Sequence, residues 1–266
     1  IWHMGIMDNH HSGWTPSSPF EGPSGLNRPG FNNGNTMTSK DIEDTIIAFG
    51  KAAADAKRLG FDTIEIHGAH DYLIDQFFWD ATNLRTDEYG GKTLADRTRF
   101  AVDVIKEIRR QVGDDFAIII RLSQFKPSDY TYKLANTPQE MESWLAPLVD
   151  AGVDILHCSQ RRFWEPEFEE SDLNFAGWAK KLTGKATITV GSVGLSGDFF
   201  GAFAGESSEP TSLEELNRRF DRGDFDLVAV GRPILADPNW VAKIKAGKMD
   251  ELRGFSKEAL GELALS

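Results

Sequence analysis

The chain has one cysteine, Cys158, in 266 residues, so it can form no internal disulfide and no cysteine-clustered zinc or iron–sulfur site. That scarcity reads as a protein of a reducing compartment, the cytoplasm. Basic residues are also in short supply: 29 Lys and Arg stand against 41 Asp and Glu, a formal charge of 29 − 41 = −12. With a pI of about 5.0, nucleic-acid backbones and anionic membrane surfaces are disfavoured as partners. No run of about 18 apolar residues could span a membrane, no charged-then-apolar leader is visible at the N-terminus, and there is no Gly-X-Y period. The chain opens on Ile1-Trp2-His3 without an initiator Met. Although its length suits one (β/α)8 barrel of about 250 residues, it reads as a piece of a longer chain.

What is present is globular composition, 40 % hydrophobic and 26 % charged. Residues 1–37 are rich in Gly, Pro, Asn, Ser and His interleaved with Trp and Phe, and read as a long ordered loop, the kind more often functional than idle. From Thr38 helical and strand-like segments alternate. Thr38 or Ser39 caps a helix with Ile42, Ile46, Phe49 and Ala53 on one face, stopped by Gly60. A strand 61–67, a helix 94–112 and an apolar strand 116–122, expected to be buried on both faces, follow. Three further pairs are helix 139–150 with strand 153–157, helix 173–182 with strand 186–190, and helix 213–220 with strand 225–230; Ile1–His3 is the stub of another strand. Such alternation demands a parallel sheet. Polar residues end each strand: His67, Arg121, His157-Cys158-Ser159, Gly191-Ser192 and Gly231-Arg232. Successive strands contributing chemistry from the same end predict a TIM (β/α)8 barrel, of which about strands 3–8 are represented here.

The densest cluster is His67-Gly68-Ala69-His70-Asp71-Tyr72. Two His at i and i+3 on a Gly-containing turn project to one side, and a tyrosine can supply a proton. A metal reading needs a third ligand, for which His157 is the histidine candidate; core or capping histidines are the plainer alternative. Arg121, after three isoleucines, needs an anion or a carboxylate such as Glu65. Gly191-Ser192 and Gly231-Arg232 follow the last two strands, where barrels commonly build a phosphate site. The 159–165 loop lines the mouth through Trp164 or is a solvated charged loop with a packed Trp. His10 and His11 read as loop histidines, and Cys158 as a small buried residue rather than a nucleophile. Asp87, Tyr89 and Arg97 read as fixing the loop before the second helix.

The stretch from Glu65 to Phe77, then Asn83 to Gly91 and Arg97, resembles the signature of the old yellow enzyme family of FMN-dependent ene-reductases. The order of Arg121, Gly191-Ser192 and Gly231-Arg232 agrees with it, so the resemblance runs over essentially the whole chain. It implies a single FMN-binding barrel domain with Ile1 inside the third strand, 1–37 as the loop after it, and NADH or NADPH as reductant. The implied reaction is reduction of the activated C=C bond of α,β-unsaturated carbonyl or nitro compounds, by hydride from flavin N5 and a proton from Tyr72. By position, His67 and His70 match the pair that binds the substrate carbonyl, Arg121 the cation beside the flavin ring, and Gly191, Ser192, Gly231 and Arg232 the phosphate cradle. Trp2 matches an active-site aromatic. The family glutamine that contacts the flavin would immediately precede Ile1, and Ile6 stands where many relatives carry Arg. The partner expected is a small-molecule substrate, with no nucleic acid, membrane or metal ion and with a homo-oligomer left open. The rival functions are a metal-dependent barrel hydrolase or aldolase, and a non-catalytic barrel fragment.

Overall fold

Thr38 opens the regular part of the chain. In the computed structural model, which describes residues 1–7, 18–169 and 171–261, the Asp41 amide donates to Thr38 Oγ1 (3.2 Å) and the Thr38 amide donates to the Asp41 carboxylate (2.7 Å). This capping box starts α1 (Ser39–Arg58), which buries Ile42, Phe49 and Ala53 as the spacing predicts. Ahead of it, β1 (Glu21–Gly22), β2 (Leu26–Arg28), β3 (Phe31–Asn32) and β4 (Asn35–Thr36) form two small pairs, β1 with β4 and β2 with β3. Part of the segment expected as loop is therefore short strand. His10 and His11 lie outside the described residues.

β5 (Thr63–Gly68) is followed by α2 (Leu73–Phe78), all six of whose residues are buried. The helix expected over 94–112 is two, α3 (Leu94–Arg97) and α4 (Arg99–Val112). The break falls at Thr98, whose hydroxyl bonds back to the Leu94 carbonyl (2.8 Å) and whose amide bonds only three residues back, to Ala95 (3.2 Å). α4 packs on α1. Gly50 permits the close approach, since a Cβ there would lie 2.7 Å from Glu107 Cγ. Asp87 binds the Arg85 side chain, and Arg97 reaches the carbonyls of Phe78, Gly91 and Lys92, so these residues do fix the loop before α3.

β6 (Ala117–Ser123) pairs with β5 in parallel, with His67 opposite Arg121. Its faces differ: Ile118, Ile120 and Leu122 are fully buried whereas Ile119 and Arg121 are half-buried, so the strand expected to be buried on both faces is not. Ile1–His3 forms no strand of its own, but Ile1 N donates to Glu65 O (2.5 Å) and Ile1 O accepts from His67 N (3.0 Å), as a strand beside β5 would.

The chain continues through α5 (Pro138–Asp150), β7 (Ile155–Ser159), α6 (Phe175–Thr183), β8 (Ala186–Val190), α7 (Phe199–Phe203), α8 (Glu214–Arg222), β9 (Leu227–Val228), α9 (Arg232–Ala236) and α10 (Trp240–Lys245). β8 and β9 pair in parallel. β9 is shorter than the expected 225–230 because the Asp226 carboxylate takes the Thr187 amide (2.9 Å) that a longer ladder would use. The chain divides into two units, Ile1–His157 with Ala179–Ala186, and Cys158–Trp178 with Thr187–Ser266. Among the described residues no helix is long and apolar enough to cross a membrane.

Candidate active site

The register of β5 and β6 puts the side chains of His67 and Arg121 on one face. In the same unit, His70 and Tyr72 gather against His67 edge-on, with ring centroids 5.3 and 4.9 Å from it. Trp2, half exposed, is edge-on to Tyr72 at 4.9 Å and 6.5 Å from His67. The structure thus brings the expected His67, His70, Tyr72 and Trp2 into one cluster.

The Ala69 amide donates to His67 Nδ1 (3.3 Å), which leaves the ring proton on Nε2. Burial, aided by the charge of Arg121, pushes the His67 imidazole down to about 4, and burial holds His70 well below the usual range. Both rings are therefore neutral at pH 7, donors without a charge. Burial and the neighbouring Asp71 push the Tyr72 phenol up, and its hydroxyl has no hydrogen-bond partner among the described residues. It stays protonated.

Arg121 Nε is buried without a partner among the described residues, and burial lowers the guanidinium's pKa against the pull of Glu65. Glu65 makes its hydrogen bond elsewhere, with His157 Nδ1 at 2.6 Å. Burial works against its carboxylate, but that bond and the Arg121 charge prevail and hold it below the usual range. His157 Nε2 is buried without a partner among the described residues. Among the described residues no group of three or more His, Cys, Asp or Glu is placed to hold a metal ion.

The turn after β5 is strained. His70 (φ 62°) and Asp71 (φ 64°) are consecutive left-handed residues with side chains, at about 1–3 kcal/mol each. Ser123 Oγ accepts the His70 amide (3.2 Å) and the Asp71 carbonyl accepts from Gln76 Nε2 (2.6 Å). Gln76 also exchanges two hydrogen bonds with the Ile6 backbone, which fixes the loop where the resemblance left Ile6 in place of Arg. Sequence reasoning missed this support, together with Asp75, Lys126 and the Phe125 ring 5.7 Å from His70.

In the second unit, Gly191 (φ 147°) and Ser192 (φ 50°) form the turn after β8. A side chain at Gly191 would drive into the Gln160 carbonyl. Arg232 donates to the carbonyls of Asp198 (2.7 Å) and Gly197 (2.8 Å) and to Ser192 Oγ (3.3 Å). Gly231 opens α9, with free space where a Cβ would lie. Trp164 packs edge-on to Phe163 at 5.1 Å, and its carbonyl accepts from Arg219 (3.0 Å). Cys158 is 1 % exposed, and burial pushes its thiol well up. Two features suit a flavin mononucleotide: the unpartnered Arg121 Nε, a donor for an electron-rich ring, and the space over Gly231 beside the Arg232 cation, for a phosphate.

Strands alternating with helices, with polar groups at the strand ends, define an α/β protein of the barrel class. More specifically, the chain belongs to the NADH:flavin oxidoreductase / NADH oxidase family, whose profile matches residues 1–199. It is 36 % identical over 225 residues to the NADH oxidase of Thermoanaerobacter brockii, covering 82 % of this chain and 31 % of that protein. To the cinnamate reductase of Clostridium sporogenes it is 32 % identical over 237 residues, covering 82 % of this chain and 33 % of that protein. The chain thus spans about a third of the length of these relatives. The old yellow enzyme homologue of Zymomonas mobilis superposes with a TM-score of 0.72 at 21 % identity, over 100 % of this chain and 72 % of that one. The fold is therefore the old yellow enzyme barrel, here in part.

Proposed function

We propose that the protein containing this chain is an FMN-dependent oxidoreductase of the cytoplasm that reduces the activated C=C bond of α,β-unsaturated carbonyl or nitro compounds with NADH or NADPH. The observation that carries the reading is the neutral His67–His70 pair beside the unpartnered Tyr72 hydroxyl at one strand end. Family membership and a relative named a cinnamate reductase support it. FMN, when bound, supplies the redox chemistry, accepting two electrons from the nicotinamide and passing them to the substrate.

The chain's own residues then have separable tasks. His67 Nε2–H and His70 donate to the substrate's carbonyl oxygen and stabilise the enolate-like charge that develops on it. Neutrality suits them to this, because two cationic rings 5.3 Å apart would repel. Tyr72 gives its proton to the α-carbon. Arg121 offsets negative charge on the flavin ring, and Gly191, Ser192, Gly231 and Arg232 hold the phosphate. Trp2, edge-on to Tyr72, lines the substrate mouth.

The test is His67→Ala in the full-length protein. Turnover of cyclohexenone should fall about 10²–10³-fold while the bound-flavin absorbance stays. An unmodified rate, or a wild-type protein that purifies and reconstitutes without flavin, overturns the proposal.

A further inference from the structure

The left-handed His70–Asp71 turn poses a physical problem, because two residues with side chains occupy backbone angles that disfavour them and something outside the turn must keep them there. The restraining groups come from α2 and from the loop after β6. Asp75 on α2 is wholly buried; its Oδ2 accepts the Asp71 amide at 2.8 Å, and its Oδ1 accepts from Lys126 Nζ at 2.5 Å. Lys126 is wholly buried too, its ammonium 5.5 Å from the Trp79 ring centre and 5.9 Å from that of Tyr132. The Lys126 backbone exchanges both its hydrogen bonds with Asp129 (3.2 and 3.0 Å), which fixes the loop. From the same loop, Ser128 gives its amide (3.1 Å) and its hydroxyl (2.7 Å) to Asp71 Oδ2. Asp71 is thus gripped by its amide and by its carboxylate at once.

A buried ion pair is a poor way to gain stability, since desolvating both charges offsets their attraction and apolar residues of equal volume serve as well. What apolar residues cannot do is aim a charged acceptor at the Asp71 amide and tie that acceptor to the loop holding the Asp71 carboxylate.

We propose that the buried Lys126–Asp75 pair is a positioning clamp that holds the left-handed His70–Asp71 turn, and with it the His70 imidazole and the Tyr72 phenol, in the arrangement that reduction requires. Both residues act through Asp71 and touch neither substrate nor flavin. The kinetic part of this inference rests on the proposed function; the conformational part does not.

The experiment compares Lys126→Met with Lys126→Met/Asp71→Gly in the full-length protein. Glycine adopts positive φ without steric cost and needs no clamp. Lys126→Met should lower kcat about 10–100-fold, the scale of a small misplacement of catalytic groups, with KM and bound flavin little changed. Adding Asp71→Gly should recover most of that loss although the ion pair is still missing. A lysine that only filled space would lower the thermal midpoint and leave kcat per flavin unchanged, or give a loss that glycine does not relieve; either result overturns the clamp. Should Lys126→Met not fold, the exposed Ser128→Ala removes the hydroxyl bond to Asp71 while keeping the amide bond, and should lower kcat severalfold, an effect abolished in the Asp71→Gly background. Nuclear magnetic resonance of ¹⁵N-labelled histidines reads the clamp without turnover: His70 signals should shift or broaden in Lys126→Met and in Ser128→Ala while those of His157 stay. Unmoved His70 signals overturn the clamp. Moved signals in a protein that reduces no enone sustain it and refute the functional reading instead.

Discussion

Replacing Arg121 with Met should move stability and flavin affinity in opposite directions. The guanidinium ends β6 with its Nε buried and unpartnered, and burial works against its charge with Glu65 offsetting only part. An unsatisfied buried donor costs about 1–3 kcal/mol. Methionine keeps the straight stem and removes that cost. It also removes a favourable charge near Glu65, but that carboxylate keeps its bond to His157, so the loss is below about 1 kcal/mol for a pair still open to solvent. The flavin-free variant should therefore gain about 1–2 kcal/mol, which for a chain of this size raises the thermal midpoint by about 2–8 °C. With FMN the sign reverses. A lost hydrogen bond from a charged donor, about 1.5–3 kcal/mol, weakens binding about 10–100-fold. Thermal melts of flavin-stripped protein with and without added FMN, together with a flavin-fluorescence titration, measure both quantities. A flavin-free variant less stable than the parent refutes the reasoning, because the guanidinium would then be satisfied by the protein itself and its place beside the flavin would lose its support.

His67 should titrate in the folded protein at about 4, below its usual 6.5. The unfolded chain then takes up the proton first, so stability is lost as pH falls from 6.5 towards 4; a ring-proton titration with a midpoint near 6.5 would falsify the neutral-pair reading. Thr38→Ala removes the capping box of α1 and should cost about 1 kcal/mol, seen as a thermal midpoint lower by about 2–4 °C. Its flavin affinity should be unchanged, and a weakened one would show that α1 does more than support β5.

The parts of the fold written locally were legible. Thr38, Ile42 and Phe49 carry a capping signal and a helical period that no distant contact overrides. Thr98 was not legible as a break, because a threonine inside a helical pattern reveals its back-bond to Leu94 only once the helix exists. β9 was expected too long for a similar reason: Asp226 competes for an amide on a strand some 40 residues away in sequence. At the site, His67, His70 and Tyr72 were legible from their spacing, and Trp2 from the resemblance. Whether Glu65 would pair with Arg121 or with His157 was not, since all three occupy strand positions that a one-dimensional pattern leaves equivalent. Lys126 was the least legible residue. A lysine before Pro127-Ser128-Asp129 reads as a solvated turn, and its burial is created by Asp75, Trp79 and Tyr132, which reach it from elsewhere in the chain.

The distribution of unsatisfied groups argues for a site independently of any family. Buried polar atoms normally find partners, and each exception asks for a reason. In the first unit two such exceptions, Arg121 Nε and His157 Nε2, stand at strand ends, and the half-buried Tyr72 hydroxyl also makes no bond among the described residues. They lie on β6, on β7 and just after β5, beside a turn with two left-handed residues and a buried ion pair. A fold selected for stability alone would pair the donors, relax the turn to glycine and replace the ion pair with apolar side chains. Keeping all three costs at one set of strand ends makes physical sense if a ligand satisfies the donors and the turn has to present His70 and Tyr72 to it in one conformation. On that account the costs are coupled. Relaxing the turn with Asp71→Gly alone should leave flavin affinity intact, because Arg121, the proposed flavin-facing donor, is on β6 and outside the turn, and should keep kcat close to the parent's, because glycine holds the left-handed angle without the clamp.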